Sequence, residues 1–229
     1  MKKYMLSAIV AGAVLLGSGS GANALLIDFT AQQWAGIGQN TQTSYFQDYP
    51  GLRVTVSAVG GNLTYNGGTD TPGPIDVLAG VGDGLGIYSD TQNSDEVDDL
   101  HGNEILTITF SQKVFSNALY LLDFFIMKPT GPESDPVTEQ GQFSFDGGST
   151  WKSFSAEGVL DFGFNKIDIS GYGPFTSISF KPLNDDDNII SDFALAGIDV
   201  SPVPEPATVL LFSAGLAGLV GFRGIRKKK

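Results

Sequence analysis

Carboxylates are the residues of this chain best placed to do chemistry. Between Arg53 and Lys113 there are nine acidic side chains and no basic one: Asp70, Asp76, Asp83, Asp90, Asp95, Glu96, Asp98, Asp99 and Glu104. Carboxylates at this density repel one another unless water or a cation lies between them, and calcium is the cation that suits many flexible oxygen ligands. Asp83, Asp90, Asp95, Glu96, Asp98, Asp99 and Glu104 are therefore candidate calcium ligands, with a solvated acidic loop as the alternative. The stretch does not fit an EF-hand, because it lacks D-x-[DN]-x-[DN]-G with a Glu six residues on. A second group, Asn184-Asp185-Asp186-Asp187-Asn188 with Asp192 beyond it, reads first as a turn whose side chains cap their own backbone. It would turn to calcium only if the fold brought it beside the first group.

A third constellation is Ser144-Phe-Asp146-Gly-Gly148-Ser-Thr150-Trp151. It matches the Asp-box, S-x-D-x-G-x-T-W, in which Asp and Gly fix a hairpin turn and Trp packs beneath. Asp-boxes recur in sialidase propellers, but one copy cannot build a propeller of several blades. The motif implies a hairpin with a structural Asp146 and Trp151 in the core. His101 is the only histidine and lies in the loop Leu100-His-Gly-Asn. No G-x-S-x-G, H-E-x-x-H or phosphate-cradling glycine loop is present, so no catalytic residue is assigned and the chain is read as non-catalytic. Two rival classes stay open. One is a carbohydrate-binding module stacking sugars on Trp34, Tyr45, Tyr49 or Tyr172. The other is a glycan-active enzyme built on a carboxylate pair, whose separation a sequence does not reveal.

The elements that must position these residues have a period of two. Leu52, Val54, Val56 and Ala58 share one face, as do Leu106, Ile108 and Phe110. Ala118-Leu-Tyr-Leu-Leu-Asp-Phe-Phe-Ile126 is continuously apolar but for one Asp, the pattern of a strand buried on both faces. Gln142–Phe145, Phe175–Phe180 and Phe193–Val200 follow, with Gly, Pro, Asn and Asp clusters between. This punctuation predicts an all-β, two-sheet antiparallel sandwich of jelly-roll-like form. The sandwich occupies residues 25–202, where 24 acidic side chains face six basic ones, a net charge near −18 against −12 for the whole chain. Such a surface excludes nucleic acid, which needs a basic footprint. No cysteine is present, so disulfides and zinc–thiolate sites are excluded as well.

The two ends address the chain. Lys2-Lys3, an apolar run from Met5 to Leu16, and Ala22-Asn23-Ala24 describe a secretory signal peptide over residues 1–24, cut after Ala24 by the machinery that serves the secretory translocon. From Ala207 to Phe222 there is no charge, and Arg223, Arg226 and Lys227 to Lys229 follow. As a helix those 16 residues reach ~24 Å, enough for a single transmembrane helix if the bilayer thins locally. The basic end lies in the cytoplasm by the positive-inside rule, which leaves the acidic domain outside. Pro204 and Pro206 hold Glu205 in an extended segment just before the span.

This order of Pro204-Glu205-Pro206, short apolar helix and basic terminus over residues 203–229 closely resembles the PEP-CTERM sorting signal. The resemblance implies recognition by an exosortase-type membrane protease. It further implies an inner-membrane-tethered precursor, then a place at the cell surface or in the extracellular matrix of a Gram-negative bacterium, with exopolysaccharide as a partner. Gly84-Leu-Gly-Ile-Tyr88, Asp95-Glu-Val-Asp98 and Glu104–Phe110 also resemble a pattern found in exported PEP-CTERM proteins.

Overall fold

The alternation of apolar and polar residues is realised as fourteen strands in the described residues of a computed structural model: 24–37, 42–66, 73–88, 96–98, 104–127, 137–157, 161–183, 191–203 and 215. They are β1 (Leu25–Asp28), β2 (Ser44–Tyr49), β3 (Leu52–Val59), β4 (Asn62–Asn66), β5 (Gly84–Tyr88), β6 (Ile105–Phe115), β7 (Ala118–Leu122), β8 (Ile126–Met127), β9 (Val137–Thr138), β10 (Gln140–Ser144), β11 (Lys152–Ser155), β12 (Asn165–Asp168), β13 (Phe175–Pro182) and β14 (Ala194–Pro202). Two 3₁₀ turns, Gln32–Trp34 and Asp161–Gly163, interrupt them. The expected signal peptide and transmembrane helix lie outside the described residues, apart from Ala24 and Gly215. Among the described residues no helix is long and apolar enough to cross a membrane.

Twelve of the strands form one antiparallel hydrogen-bonded network. It has two halves that meet at β14. In the first sheet β12 pairs with β7, β7 with β14, and β14 with both β1 and β5 along its other edge, while β4 lies outside β5. In the second sheet the order is β11-β10-β13-β6-β3-β2. Ser201 and Pro202, at the end of β14, leave the first sheet and pair with Phe115 and Val114 of β6. The strands β8 and β9 form a small separate pair.

Register follows from the apolar pattern, since a slip by one residue would turn every inward side chain outward. Val54 faces Phe110, Val56 faces Ile108 and Ala58 faces Leu106 across β3 and β6, and β13 sets Ile178 against Ile108 and Phe180 against Leu106. These side chains join Ile27, Leu63, Leu85, Ile87 and Ile198 of the first sheet in one core, so the arrangement is sandwich-like. A smaller cluster of Leu78, Ala118, Tyr120, Leu122, Ala194 and Ala196 covers the first sheet's other side. That is why β7 is buried on both faces and reads as a continuous apolar run. Asp28 holds the covering loop in place: its Oδ1 accepts from Thr30 N at 2.9 Å and its Oδ2 accepts from Ala79 N at 2.8 Å.

The run 118–126 is not one strand. It stops at Leu122 because Asp123 takes φ +54°, a left-handed conformation that breaks a ladder. The break is locked by Gly163 (φ +61°), whose absent Cβ would stand 2.4 Å from Phe124 N. Asn165 closes the knot from below, its Nδ2 donating to the Phe124 and Gly163 carbonyls at 2.5 and 3.0 Å.

Candidate functional site

The carboxyl groups that meet in this fold come from three separate stretches of the chain. Val97 bridges to Phe193, with Val97 N donating to Phe193 O at 2.9 Å, and Ile87 N donates to Glu96 O at 3.1 Å. Residues 96–98 are thereby laid beside the start of β14, which brings Asp192 into hydrogen-bond contact with Glu96 and into the field of Asp98. From the opposite side comes Glu139, between β9 and β10. Its Oε2 accepts from Phe125 N at 2.5 Å, its own amide donates to Phe125 O at 3.1 Å, and its carboxyl meets that of Asp192. Glu104 completes the group, its Oε2 accepting from Asp98 N at 2.9 Å.

Glu139 is 3% exposed, Asp98 3% and Glu104 6%, so little water reaches them. Burial pushes the Glu139 carboxyl up to about 8; the nearby Asp192 and Asp123 charges add to this, and the Phe125 amide opposes it. Asp192 is raised as well, chiefly by burial. The shift favours the protonated form of Glu139, in which it can donate a hydrogen bond to the Asp192 carboxyl.

Of the candidate calcium ligands, Glu96, Asp98 and Glu104 are gathered here, and Asp192 with them. Asp83 is not: it precedes β5, whose far end meets Glu96, so four residues at ~3.3 Å each put it ~13 Å away along the strand. It lies near Tyr65, whose hydroxyl is pushed up by burial and then by the charges of Asp28 and Asp83. Asp90, Asp95, Asp99, His101 and the turn 184–188 lie outside the described residues. Among the described residues no group of three or more His, Cys, Asp or Glu side chains is arranged to hold a metal ion. Glu139 and Glu104 each give an oxygen to a backbone amide, and Glu139 also meets Asp192.

The Asp-box forms the expected turn. Asp146 Oδ1 accepts from Thr150 N at 2.9 Å and from Ser144 Oγ at 2.7 Å, and its Oδ2 accepts from Thr150 Oγ1 at 2.7 Å. The Thr150 hydroxyl, with the amide beside it, holds the Asp146 carboxyl down at about 2. Asp146 is structural, but Trp151 is not in the core. It is half-buried, lies against Gly148 (φ +89°), and carries the Lys181 ammonium 4.7 Å from its ring centre. Trp34 is the reverse case. Expected as a sugar platform, it is fully buried, 4.9 Å from the Phe29 ring and 6.0 Å from Tyr45. The 3₁₀ turn tucks it under the sheet. Burial also pushes the Tyr49 hydroxyl up to about 12, and Tyr172 packs on Phe143 and Phe145 at 5.2 and 5.0 Å. Trp34 belongs to the core, whereas Tyr45, Tyr49 and Tyr172 are partly buried against it.

Beyond β14 the chain enters a segment of a different kind. Residues 202–227 match the PEP-CTERM protein-sorting motif. The chain carries a PEP-CTERM sorting signal. The match begins at Pro202, the residue that ends β14, so the PEP-CTERM motif starts where the sandwich stops. Such a signal marks a protein for export and for recognition by exosortase, a membrane protease. Its residues Pro204, Glu205, Pro206, Arg223 and Arg226 lie outside the described residues. No curated protein matches the chain.

Proposed function

We propose that the chain is a non-catalytic protein of the cell surface or extracellular matrix of a Gram-negative bacterium. A signal peptide exports it through the secretory translocon, the tail tethers the precursor in the inner membrane, and an exosortase-type protease removes that tail near Pro206. The PEP-CTERM motif, attached directly to the last strand of the acidic sandwich, is the observation that carries this reading. Mass spectrometry of the protein from its host should find a new N-terminus at Leu25 and a C-terminus near residue 206. An intact Lys229 in cells that express the protease would overturn the processing step.

Two features support the absence of catalysis. The described carboxyl pair, Glu139 and Asp192, is in hydrogen-bond contact, whereas glycoside hydrolysis needs two carboxyls ~5–9 Å apart with the sugar between them. Glu139 is also sealed from solvent. Calcium belongs to the proposal as a stabiliser only. A net charge near −18 without disulfides favours cation binding, but the site would draw on Asp90, Asp95 and Asp99 rather than on the Glu139 cluster. Carbohydrate binding is the second reading, and the open side of the second sheet favours it.

A further inference from the structure

The outward side of the second sheet differs chemically from the rest of the domain. Strand pairing lines up its hydroxyls in two rows: Ser57 and Thr107 in one, with the buried Ser179 closing its end, and Thr55, Thr109 and Ser177 in the next. Neighbours within a row are ~4.8 Å apart, and the rows are ~7 Å apart along the strands. Thr107 Oγ1 is held by Ser179 Oγ, 2.9 Å away in a hydrogen bond. At one end stands Phe46, 53% exposed, with the Arg53 guanidinium 4.4 Å from its ring centre. At the other end the Asp-box presents Trp151 under Lys181. Three strand spacings separate β2 from β13, and the register sets Phe46 and Arg53 four to six residues along the strands from Lys181, so the two aromatic–cation pairs are ~20–25 Å apart.

Hydroxyls on an open antiparallel face are ordinary. The charge is not. Of the six basic side chains in residues 25–202, Arg53, Lys113 and Lys181 point outward from this one face. Of the 24 acidic ones, Asp48 alone does so among its described strand residues, and it is held by Arg53 at 2.7 Å. In a domain with a net charge near −18, this face is thus the part of the described surface where basic side chains outnumber acidic ones on the strands.

We infer that this face docks an anionic polysaccharide, its carboxylates met by Lys113, Lys181 and Arg53, its hydroxyls by the Ser and Thr rows, and its ring faces by Trp151 and Phe46. Serine and threonine hydroxyls donate and accept at once, as sugar hydroxyls require. Ring stacking adds an apolar contact that ions in solution cannot compete for. The inference rests on the export reading, because only an exported domain meets such a polymer.

The test is electrophoresis of the full chain, in detergent, through native gels containing polygalacturonate or neutral dextran. The wild type should be retarded by polygalacturonate and not by dextran, with retardation falling as salt rises. Arg53→Glu with Lys181→Glu should weaken the apparent affinity about tenfold or more, and Trp151→Ala with Phe46→Ala about tenfold. Lys113→Glu, which breaks no aromatic contact, should also weaken it and guards against misfolding of the paired variants. Lys166→Ala, on β12 of the other sheet, should match the wild type. Equal retardation of wild type and charge variants would overturn the inference, as would equal retardation by dextran. A change in sedimentation of the variants without any change in polymer binding would make the face a contact between copies, and would also overturn it. Processing at residue 206 is read separately by mass spectrometry, so a failure here leaves the sorting conclusion intact.

Discussion

Glu139 and Asp146 lie only seven positions apart, on either side of β10, yet their carboxyl groups are driven in opposite directions. Asp146 is open to solvent and receives hydrogen bonds from Thr150 and Ser144, all of which favour the charged form, so it is held down at about 2. Glu139 receives one amide, from Phe125, and loses its water, so it rises to about 8. Donors stabilise a carboxylate, and burial without enough donors stabilises the acid. An Asp or Glu in an acidic domain thus has no fixed meaning; its count of N–H and O–H partners decides it.

The sharpest break of that comparison is Glu139→Ala. It leaves the buried Phe125 amide without its carboxyl acceptor and should cost about 2 kcal/mol, a fall of about 4–8 °C in Tm for a domain of this size, read by thermal melting. Glu139→Gln keeps both a donor toward Asp192 and an acceptor for Phe125, and should cost far less. A Gln variant as unstable as the Ala variant would mean that the site is held by charge rather than by the acid.

The pH profile gives a smaller, signed effect. Glu139 titrates higher in the fold than its usual 4.5, so the fold holds an extra proton. Its contribution to stability is complete below about pH 4.5 and is lost as pH rises through about 8. Asp146 runs the other way, its contribution present above its usual 3.8 and lost as pH falls through about 2. Tm should therefore decline between pH 5 and 9, and Glu139→Gln should flatten that decline while Asp146→Asn alters only the acid side. A decline unchanged in Glu139→Gln would assign it to another group.

The smallest effect expected is that of calcium. Only carboxylates free to lose their protons and turn toward an ion can respond, which leaves out Glu139. Millimolar calcium should raise Tm by a few degrees over chelator, and magnesium by less. Neutralising Asp90, Asp95 and Asp99 together as Asn should remove the difference. Equal melting points in calcium, magnesium and chelator would leave the stretch as a solvated loop.

The strands that alternate cleanly were legible in the sequence: 52–58, 106–110 and 175–180 fall within strands of the fold, and 193–200 lies within β14 from Ala194 on. The short strands β1, β11 and β12 were not, because four residues carry too little periodicity to distinguish from loop. Asp192 was legible only alongside the turn 184–188, which lies outside the described residues; the Val97–Phe193 bridge brings Asp192 itself beside Glu96. Glu139 was missed. It sits in a polar run, Thr138-Glu-Gln140, that reads as surface, and its burial comes from elements that a local window cannot contain. Trp34, after two glutamines, read as exposed for the same reason. Trp151 went the other way: the motif suggests packing beneath a turn, but Lys181, thirty positions on, is what it packs against.

β14 is the last strand among the described residues, yet it pairs with β1, β5, β6 and β7. A chain that crosses a membrane amino end first delivers every one of those partners before it delivers their common neighbour. Until Ala194–Pro202 emerge, the first sheet lacks its middle strand. The sorting motif starts at Pro202, the residue that ends β14, so the strand that completes the first sheet and the sorting signal follow one another without a linker. A chain cut before Ala194 would therefore lack both the strand that four others share and the sorting motif.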